Sequence, residues 1–356
     1  MTTIRVGVVG CGAISSVYLD TMTRHFSDVL EVRLCSSAHM YSAQVRAAQY
    51  GITAVSTEAL LASPDIDLVV NLTPVPAHEA IIRQALERGK HVYSEKTLTG
   101  SLKQSAQLLA LAEKQGRSLC CAPDTMLSAG VQTARQALQD GMIGKVTSVE
   151  MNMNRDYGAF YPRLPFLLQP GAGCGMDIGP YFISCAAYLL GPVAEVTGFA
   201  DVSRPYREGG LHIRNENRFM AALRFRSGVL GTLHMNADSG GKEEPYIAIY
   251  GTKGTLRIPE PNKFSRHVWL DQGRERREVP RTGGYTELWR GAGVAEMARA
   301  LLAGRVSLLD ARFAYHTQEV IQAVYDSSAA KRHICVNSDL PRHCRTPLEL
   351  SLIHIS

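Results

Sequence analysis

A glycine-rich turn near the N-terminus constrains the fold of this chain more than any other feature. The apolar run 4–9 leads directly into Gly10-Cys11-Gly12-Ala13-Ile14-Ser15, and a helical pattern of apolar residues follows. Glycines between a buried strand and a helix let backbone N–H groups approach a phosphate closely. The segment therefore predicts a dinucleotide-binding turn, although Ser15 stands where glycine or alanine is usual. The predicted cofactor contacts in this turn are Gly10, Gly12, Ala13 and Ile14.

The first third of the chain alternates short apolar runs with helical patterns. Such alternation predicts repeated βαβ units, in which buried parallel strands are covered by helices. The predicted strands are residues 4–9, 29–35, 68–72, 91–93 and 118–121, and the predicted helices are residues 14–25, 40–50, 77–88 and 102–115. We therefore expect an α/β domain with a doubly wound parallel sheet over residues 1–125.

After about residue 125 the pattern changes to longer stretches in which apolar and polar residues alternate, as in one-sided antiparallel strands. The predicted strands are residues 146–153, 193–202, 219–225, 229–235 and 246–250, and the predicted helices are residues 179–190, 293–302 and 311–329. This mixture predicts a second, α+β domain over residues 126–349. Residues 350–356 (LSLIHIS) resemble the translation of a sequencing adapter and are expected to be foreign to the native chain.

The composition excludes several classes of protein. The 356 residues carry a net charge of +5, 45% of them are apolar, and no apolar run reaches the ~18 residues of a membrane helix. The basic cluster Arg274, Arg276 and Arg277 is interrupted by Glu275 and Glu278, which predicts a solvated strand edge or loop rather than a nucleic-acid site. We therefore expect a cytoplasmic protein that binds neither nucleic acid nor a membrane.

The cysteines show no spacing that is typical of a disulfide framework, so reduced thiols are expected. A zinc site at His333, Cys335, His343 and Cys344 is not predicted, because adjacent ligands would strain the geometry and foreign sequence follows closely. The sequence therefore predicts no metal site.

The end of the second predicted strand bears on which dinucleotide fits. NAD-binding domains usually place an acidic residue there, to accept hydrogen bonds from the ribose hydroxyls. This chain has Ser36, Ser37 and His39 instead, and Arg46 follows in the next predicted helix. Because the serines could donate to a 2′-phosphate that His39 or Arg46 approaches, the pattern favours NADP over NAD. In the alternative interpretation the serines only start a turn, and NAD stays open.

Three further motifs carry a resemblance to a known family. They are Asn71-Leu72-Thr73-Pro74 followed by His78, then His91-Val92-Tyr93-Ser94-Glu95-Lys96-Thr97, and Gly175-Met176-Asp177-Ile178-Gly179-Pro180-Tyr181. Together with the glycine-rich turn they closely resemble the Gfo/Idh/MocA family of sugar and inositol oxidoreductases, to about residue 330. One branch of that family has Tyr after Gly-Pro at this position, and this sequence, with Tyr181 there, resembles that branch.

This resemblance implies an N-terminal Rossmann domain that binds NADP or NAD. It also implies a C-terminal domain with an open, mainly antiparallel sheet, which commonly forms the subunit interface. A homo-dimer or homo-tetramer is the assembly that the resemblance favours.

The resemblance also implies catalytic residues. Lys96 matches the lysine of the family's EKP motif, where a cation steadies a developing alkoxide and takes part in proton transfer, although Thr97 replaces the motif's proline. Asp177 matches the aspartate of the DxGxH signature, and Tyr181 replaces its histidine. Tyr181 either works as acid or base with a pKa lowered by Lys96, or only packs against the substrate while Lys96 and Asp177 handle the proton. The same motifs imply a cofactor edge made of Thr73, Pro74, His78, Glu95 and Lys96.

Two of these positions, and His316, which resembles a recurrent position of the family, also have plain structural interpretations. Asp177 precedes Gly-Pro closely enough to be a turn or N-cap residue. His78 is of the kind that caps or packs the start of a helix, and His316 more often satisfies a packing or interface hydrogen bond than takes part in chemistry.

The function that follows is an NAD(P)-dependent dehydrogenase or reductase. It would move a hydride between nicotinamide and a carbinol or carbonyl carbon of a sugar, polyol or related small-molecule carbohydrate. The alternative is a non-catalytic sensor or regulator that binds a dinucleotide or a sugar on the same fold, motivated by the absent histidine and the absent proline.

Overall fold

The computed structural model describes residues 3–169, 171–207, 210–241, 244–264, 267–287 and 290–341. The predictions for residues 350–356 and for His343 and Cys344 lie outside these ranges. The helices are α1 (Ser15–Asp20), α2 (Met40–Tyr50), α3 (Thr57–Ala62), α4 (Val75–Glu87), α5 (Leu102–Lys114), α6 (Ala129–Gln139), α7 (Cys174–Asp177), α8 (Gly179–Leu190), α9 (Ala292–Leu302) and α10 (Ala311–Ala330).

The strands follow the same chain order. They are β1 (Ile4–Val9), β2 (Leu30–Ser36), β3 (Thr53–Ala54), β4 (Leu68–Asn71), β5 (His91–Ser94), β6 (Leu119–Cys121), β7 (Val146–Asn154), β8 (Val193–Asp201), β9 (Tyr206–Arg207), β10 (Leu211–His212), β11 (Arg218–Phe225), β12 (Leu230–Asn236), β13 (Tyr246–Gly251), β14 (Gly254–Pro259), β15 (Trp269–Gln272), β16 (Glu275–Glu278) and β17 (Ile334–Cys335).

The chain divides into two compact units, which differ from the predicted domains in one respect. Among the described residues, the first unit takes residues 3–124 and 290–315, and the second takes those within 125–287 and 316–341. The sequence analysis instead assigned all of residues 126–349 to the second domain. The reason for the difference is the buried carboxylate of Asp124, which accepts hydrogen bonds from the N–H groups of Gly291 (2.8 Å) and Gly293 (3.4 Å). These long-range bonds hold α9 within the first unit.

The first unit contains a six-stranded sheet in the order β3-β2-β1-β4-β5-β6, with all strands parallel. Its central strands are apolar because helices cover both faces of a doubly wound sheet. The residues Leu68–Asn71 of β4, for example, are all buried. The predicted α/β architecture is therefore confirmed.

Two short elements of this unit were not predicted. β3 has only two residues and α3 has six, and both elements are too short to show a periodic pattern of apolar residues. α3 is defined instead by its N-cap, since the side chain of Ser56 accepts a hydrogen bond from the N–H of Ala59.

The second unit contains a nine-stranded sheet in the order β16-β15-β14-β13-β7-β12-β11-β8-β17. Only the β12–β7 pair is parallel among its described strands, so the predicted mainly antiparallel sheet is confirmed. Buried and exposed residues alternate along β11 and β12, as expected of a sheet with one face covered. The fully buried α8 belongs to the same unit.

The edge of this sheet explains the basic cluster. All four residues Glu275–Glu278 of β16 are exposed, and the strand lies at the end of the strand order. Of the two predicted alternatives, a solvated strand edge or a loop, the structure shows the strand edge, and charged side chains on an edge strand discourage pairing with another sheet.

Within the described residues, no helix has the length and apolar character needed to cross a membrane.

Candidate functional site

The glycine-rich turn joins β1 to α1 at the carboxyl edge of the first sheet. Gly10 has φ +105°, and a Cβ there would lie 2.6 Å from the carbonyl carbon of Leu72. Gly10 also donates its N–H to the carbonyl oxygen of Ser36 at 2.8 Å, so this residue is needed by the fold itself. Gly12 differs, because no described atom lies within 4 Å of the position its Cβ would take. Gly12 and Ala13 are exposed, which leaves room for a phosphate against the backbone.

A second loop lies beside this turn, because β4 is the neighbour of β1 and Val9 pairs with Asn71. The side-chain oxygen of Asn71 accepts a hydrogen bond from the Thr73 hydroxyl at 2.7 Å, which shapes the Thr73-Pro74 loop. The strand order changes direction between β1 and β4, and ligands of doubly wound sheets bind at such a point. Thr73 and Pro74 are half-buried and exposed, respectively, at this edge.

The end of β2 supports only part of the prediction for a 2′-phosphate. Ser36 is fully buried, and its hydroxyl accepts a hydrogen bond from the Thr57 hydroxyl at 3.3 Å. Ser36 is therefore not a phosphate contact, because its side chain points into the unit. Ser37 is half-buried and His39 is exposed.

The segment around Lys96 follows β5, the next strand of the same sheet edge. The Glu95 carboxylate accepts hydrogen bonds from the Tyr18 hydroxyl (2.7 Å) and from the N–H of Lys96 (2.9 Å). Burial, with the nearby Glu95 charge, raises the pKa of Tyr18, so its hydroxyl stays a neutral donor. The Glu95 carboxylate thereby holds the backbone of Lys96, and its implied cofactor contact stays a prediction. The Lys96–Thr97 peptide bond is cis, and Lys96 itself is half-buried.

His78 lies under the same segment rather than at the cofactor edge. Its ring is fully buried, with Nδ1 2.8 Å from the carbonyl oxygen of Thr97 and Nε2 2.8 Å from that of Thr73. Carbonyl oxygens only accept, so a neutral ring can donate to one of them and a doubly protonated ring to both. The role as a direct cofactor contact is corrected, because both nitrogens face backbone within the unit. His78 joins the Thr73 loop to the Lys96 segment.

The second unit holds the other two implied catalytic residues. Asp177 is the last residue of α7 rather than the first of a helix, and its carboxylate accepts a hydrogen bond from the Tyr157 hydroxyl at 3.3 Å. Tyr181 lies in the first turn of α8 and is 7% exposed. Burial, followed by the charge of Asp177, raises the pKa of Tyr157, so Tyr157 serves as a neutral donor to that carboxylate.

The sequence analysis missed Tyr18 and Tyr157, which orient Glu95 and Asp177. Tyr18 is 77 residues from Glu95, and Tyr157 is 20 residues from Asp177. The sequence around each tyrosine is equally compatible with an aromatic residue that only packs in the core, so no local signal identifies either one as a hydrogen-bond donor to a site carboxylate.

His316 has the packing role that the sequence analysis favoured. It is fully buried, its Nε2 accepts a hydrogen bond from the N–H of Val193 (3.1 Å), and its Nδ1 lies 2.9 Å from the hydroxyl of Ser338. An Nε2 that accepts leaves the ring proton on Nδ1, which donates to Ser338. Burial lowers the pKa of His316 to about 4.

We predict that His316→Gln removes an acid-sensitive part of the stability. In the unfolded chain the group takes up a proton at an ordinary pKa of 6.5, so stability falls as the pH drops from there toward about 4. The loss attributable to His316 between pH 7 and pH 5 is about 2 kcal/mol. Glutamine keeps an acceptor for the N–H of Val193 but does not titrate.

Urea unfolding of both proteins at pH 7 and pH 5 measures this effect. The exposed His39→Gln variant is the control, and it should lose as much stability as the unaltered protein. Equal losses in the unaltered protein and in His316→Gln would contradict the prediction.

Comparison with known proteins assigns both parts of the chain to one family. Residues 4–122 match the model of the oxidoreductase family with an NAD-binding Rossmann fold, and residues 131–257 match that of the GFO/IDH/MocA C-terminal domain. The chain is 30% identical over 201 residues to the uncharacterized oxidoreductase YdgJ of Escherichia coli (strain K12), over 56% of this chain and 57% of that protein. This match therefore spans less than two thirds of the relative.

Two other proteins extend the comparison. The chain is 29% identical over 262 residues to dTDP-3,4-didehydro-2,6-dideoxy-alpha-D-glucose 3-reductase of Streptomyces antibioticus, over 72% of this chain and 75% of the reductase. The dehydrogenase WlbA of Bordetella pertussis, solved with NADH and UDP-GlcNAcA, has a TM-score of 0.80 at 21% identity, covering 95% of this chain and 100% of that one. At 21% identity, the similarity to WlbA shows a shared fold and nothing more. The two family models and the parallel sheet with its glycine-rich turn show that the chain belongs to the Gfo/Idh/MocA family of oxidoreductases and that its first unit contains the NAD-binding Rossmann fold of that family.

Proposed function

We propose that this chain is an NAD(P)-dependent dehydrogenase or reductase acting on a sugar, polyol or related carbohydrate. The observation that carries the proposal is the grouping of three segments at one sheet edge, namely the open turn at Gly12, the Thr73-Pro74 loop and the Lys96 segment. The relatives support the substrate class, since one is a dTDP-sugar reductase and a structural neighbour was solved with NADH and a UDP-sugar.

The residues at this edge fit a dinucleotide. The open space at Gly12 accepts a phosphate, and Ala13 and Ile14 offer backbone beside it. Thr73 and Pro74 would contact the cofactor farther along the edge. When bound, the nicotinamide supplies the hydride acceptor or donor.

We assign proton handling to Lys96, Asp177 and Tyr181. In the oxidation direction the carbinol carbon loses a hydride and its hydroxyl loses a proton, so a cation that stabilises the alkoxide and a group that accepts the proton are both needed. Lys96 is the cation, fixed through Glu95 and His78. Asp177 accepts the proton with its carboxylate oriented by Tyr157, and Tyr181 contacts the substrate hydroxyl. The reverse direction uses the same groups as proton donors.

Fluorescence titration with NADH and NADPH in parallel tests the cofactor part of the proposal. We expect binding of both, with NADPH preferred, because no acidic residue follows β2. A folded sample that binds neither nucleotide would refute the proposal.

A panel of carbonyl carbohydrates then tests catalysis by the loss of NADPH absorbance at 340 nm. Oxidation of NADPH by a panel member supports a reductase. Nucleotide binding without any oxidation across the panel, and without reduction of NADP by the matching polyols, would favour the sensor.

We further propose a cytoplasmic homo-dimer or homo-tetramer. The exposed face of the nine-stranded sheet supports this assembly, since Phe199 and Leu230 are 75% and 49% exposed on it.

A further inference from the structure

Glu216 of the second unit is bonded to the short helix that carries Asp177. It lies just before β11, 41 positions from Gly175, and its Oε1 accepts a hydrogen bond from the N–H of Gly175 at 3.0 Å. Its carbonyl oxygen accepts another from the N–H of Cys174 at 3.2 Å. Because the first N–H groups of a helix have no partner within it, Glu216 supplies the acceptors that the first two residues of α7 lack.

The carboxylate of Glu216 is itself fixed from α10. The hydroxyl of Tyr325 donates to the same Oε1 at 2.6 Å. Burial, followed by the charge of Glu216, raises the pKa of Tyr325, so its hydroxyl stays a neutral donor. Burial also raises the pKa of Glu216, and the hydrogen bonds from Tyr325 and Gly175 limit that rise. A long helix and the short helix α7 are thus joined through one carboxylate oxygen.

Two glycines leave the space that this arrangement needs. A Cβ on Gly173 would overlap the carboxylate of Glu216. A Cβ on Gly175 would lie 2.5 Å from the ring of Phe219 and 2.9 Å from the hydroxyl of Tyr325. Gly173 has φ −69°, which any residue can adopt, so its missing side chain serves the close approach rather than an unusual backbone conformation.

The turn that is held in this way ends at Asp177. The N–H of Asp177 donates to the carbonyl oxygen of Gly173 at 2.9 Å, which ties it to the residue that packs against Glu216. The bond from Tyr157 to the Asp177 carboxylate, at 3.3 Å, is long for a hydroxyl donor and therefore weak. The place of this carboxylate thus depends also on the backbone of α7.

We propose that Glu216, held by Tyr325, is a positioning residue that places Asp177 for proton transfer. Glu216 acts through the backbone of α7 and does not itself exchange a proton with the substrate. A reacting group that is misplaced by about 1 Å can cost about 10²-fold in rate, so the bonds to α7 matter for turnover more than for binding. The proposal rests on the proposed oxidoreductase function and adds the residue that orients its proton acceptor.

Turnover of the carbohydrate panel by full-length variants tests this proposal. Glu216→Ala should lower kcat by about tenfold or more, with KM and NADPH affinity within about twofold. Glu216→Gln should recover most of the loss, because one amide oxygen can accept both hydrogen bonds. Glu319→Ala is the matched control and should turn over normally. The Glu319 carboxylate also accepts two backbone N–H groups in the second unit, those of Asn337 (3.1 Å) and Ser338 (2.8 Å).

A combination with Asp177→Asn separates positioning from a general loss of structure. In that background Glu216→Ala should lower kcat no further, because the place of the carboxylate matters only while the carboxylate is present. The same fold-loss from Glu216→Ala in both backgrounds would overturn the proposal. A loss in Glu216→Gln as large as that in Glu216→Ala would overturn it as well.

Amide hydrogen exchange of the protein without substrate measures the hold on α7 independently of turnover. Peptides spanning residues 173–178 should exchange about tenfold faster in Glu216→Ala and at the unaltered rate in Glu216→Gln. Unchanged exchange in Glu216→Ala would overturn the proposal. If that variant does not fold, Tyr325→Phe replaces it, with a smaller expected effect because the bond to Gly175 remains. An unaltered protein that turns over no panel member would refute the function, whereas exchange would still show whether Glu216 holds α7.

Discussion

Replacing Lys96 by alanine should abolish turnover while nucleotide affinity changes by no more than a few fold. The variant loses the cation proposed to stabilise the alkoxide and to take part in proton transfer, and such a loss costs about 10²–10⁴ in rate. The effect on binding is small because Lys96 follows β5, whereas the open turn proposed to bind the phosphates follows β1. The hydrogen bonds from Tyr18 to Glu95 and from Lys96 N–H to Glu95 do not involve the removed side chain, so the segment should keep its place.

Steady-state rates with a carbohydrate from the panel, together with NADPH titration, measure the two effects separately. Lys103→Ala, which removes an exposed lysine of α5, is the matched control and should turn over normally. Turnover of Lys96→Ala close to that of the unaltered protein would remove Lys96 from the mechanism.

Replacing Gly10 by alanine should destabilise the first unit by about 3 kcal/mol or more. A φ of +105° is unfavourable for any residue with a Cβ, and the added methyl group would lie 2.6 Å from the backbone of Leu72. Either the turn or the Thr73 loop must then move. Urea unfolding measures the loss, and a variant as stable as the unaltered protein would show that this backbone conformation is wrong.

Gly12→Ala is the matched variant, two residues away in the same turn. Its Cβ would meet no described atom within 4 Å, so the free energy of unfolding should stay within about 1 kcal/mol of the unaltered value. Nucleotide affinity should nevertheless fall by about tenfold, because the methyl group occupies the space proposed for the phosphates. Unchanged nucleotide affinity in this variant would mean that the turn does not contact the cofactor.

Local patterns were sufficient for the main elements of the first sheet. β1, β4 and β5 begin where the sequence analysis predicted, because strands buried on both faces form short, nearly continuous apolar runs. Elements without such a pattern were missed. β3, with two residues, is too short to show one. The edge strand β16, which consists of four exposed charged residues, was predicted only as a solvated strand edge or loop.

Side-chain directions were the part that local patterns could not predict. Ser36 and His78 lie where the motifs put them, but both are buried, and their side chains contact Thr57 and the carbonyl oxygens of Thr73 and Thr97, respectively. The Glu95 carboxylate accepts hydrogen bonds from Tyr18 and from the N–H of Lys96. A motif specifies residue types along the chain, whereas orientation depends on which distant groups fold against them.

The sequence by itself determined the order of the βαβ units, the position of the glycine-rich turn and the family, because apolar periodicity and short motifs are local properties of a chain. Only the tertiary structure decided that residues 290–315 join the first unit and that Arg46 is held by Ser15. It also showed that the Glu95 carboxylate accepts a hydrogen bond from the backbone N–H of Lys96. The first two outcomes depend on hydrogen bonds between residues far apart in sequence, such as Asp124 and Gly291, which are 167 positions apart. The third depends on the side-chain direction of Glu95, which its distant partner Tyr18 helps to fix. Such contacts exist only once the chain is packed.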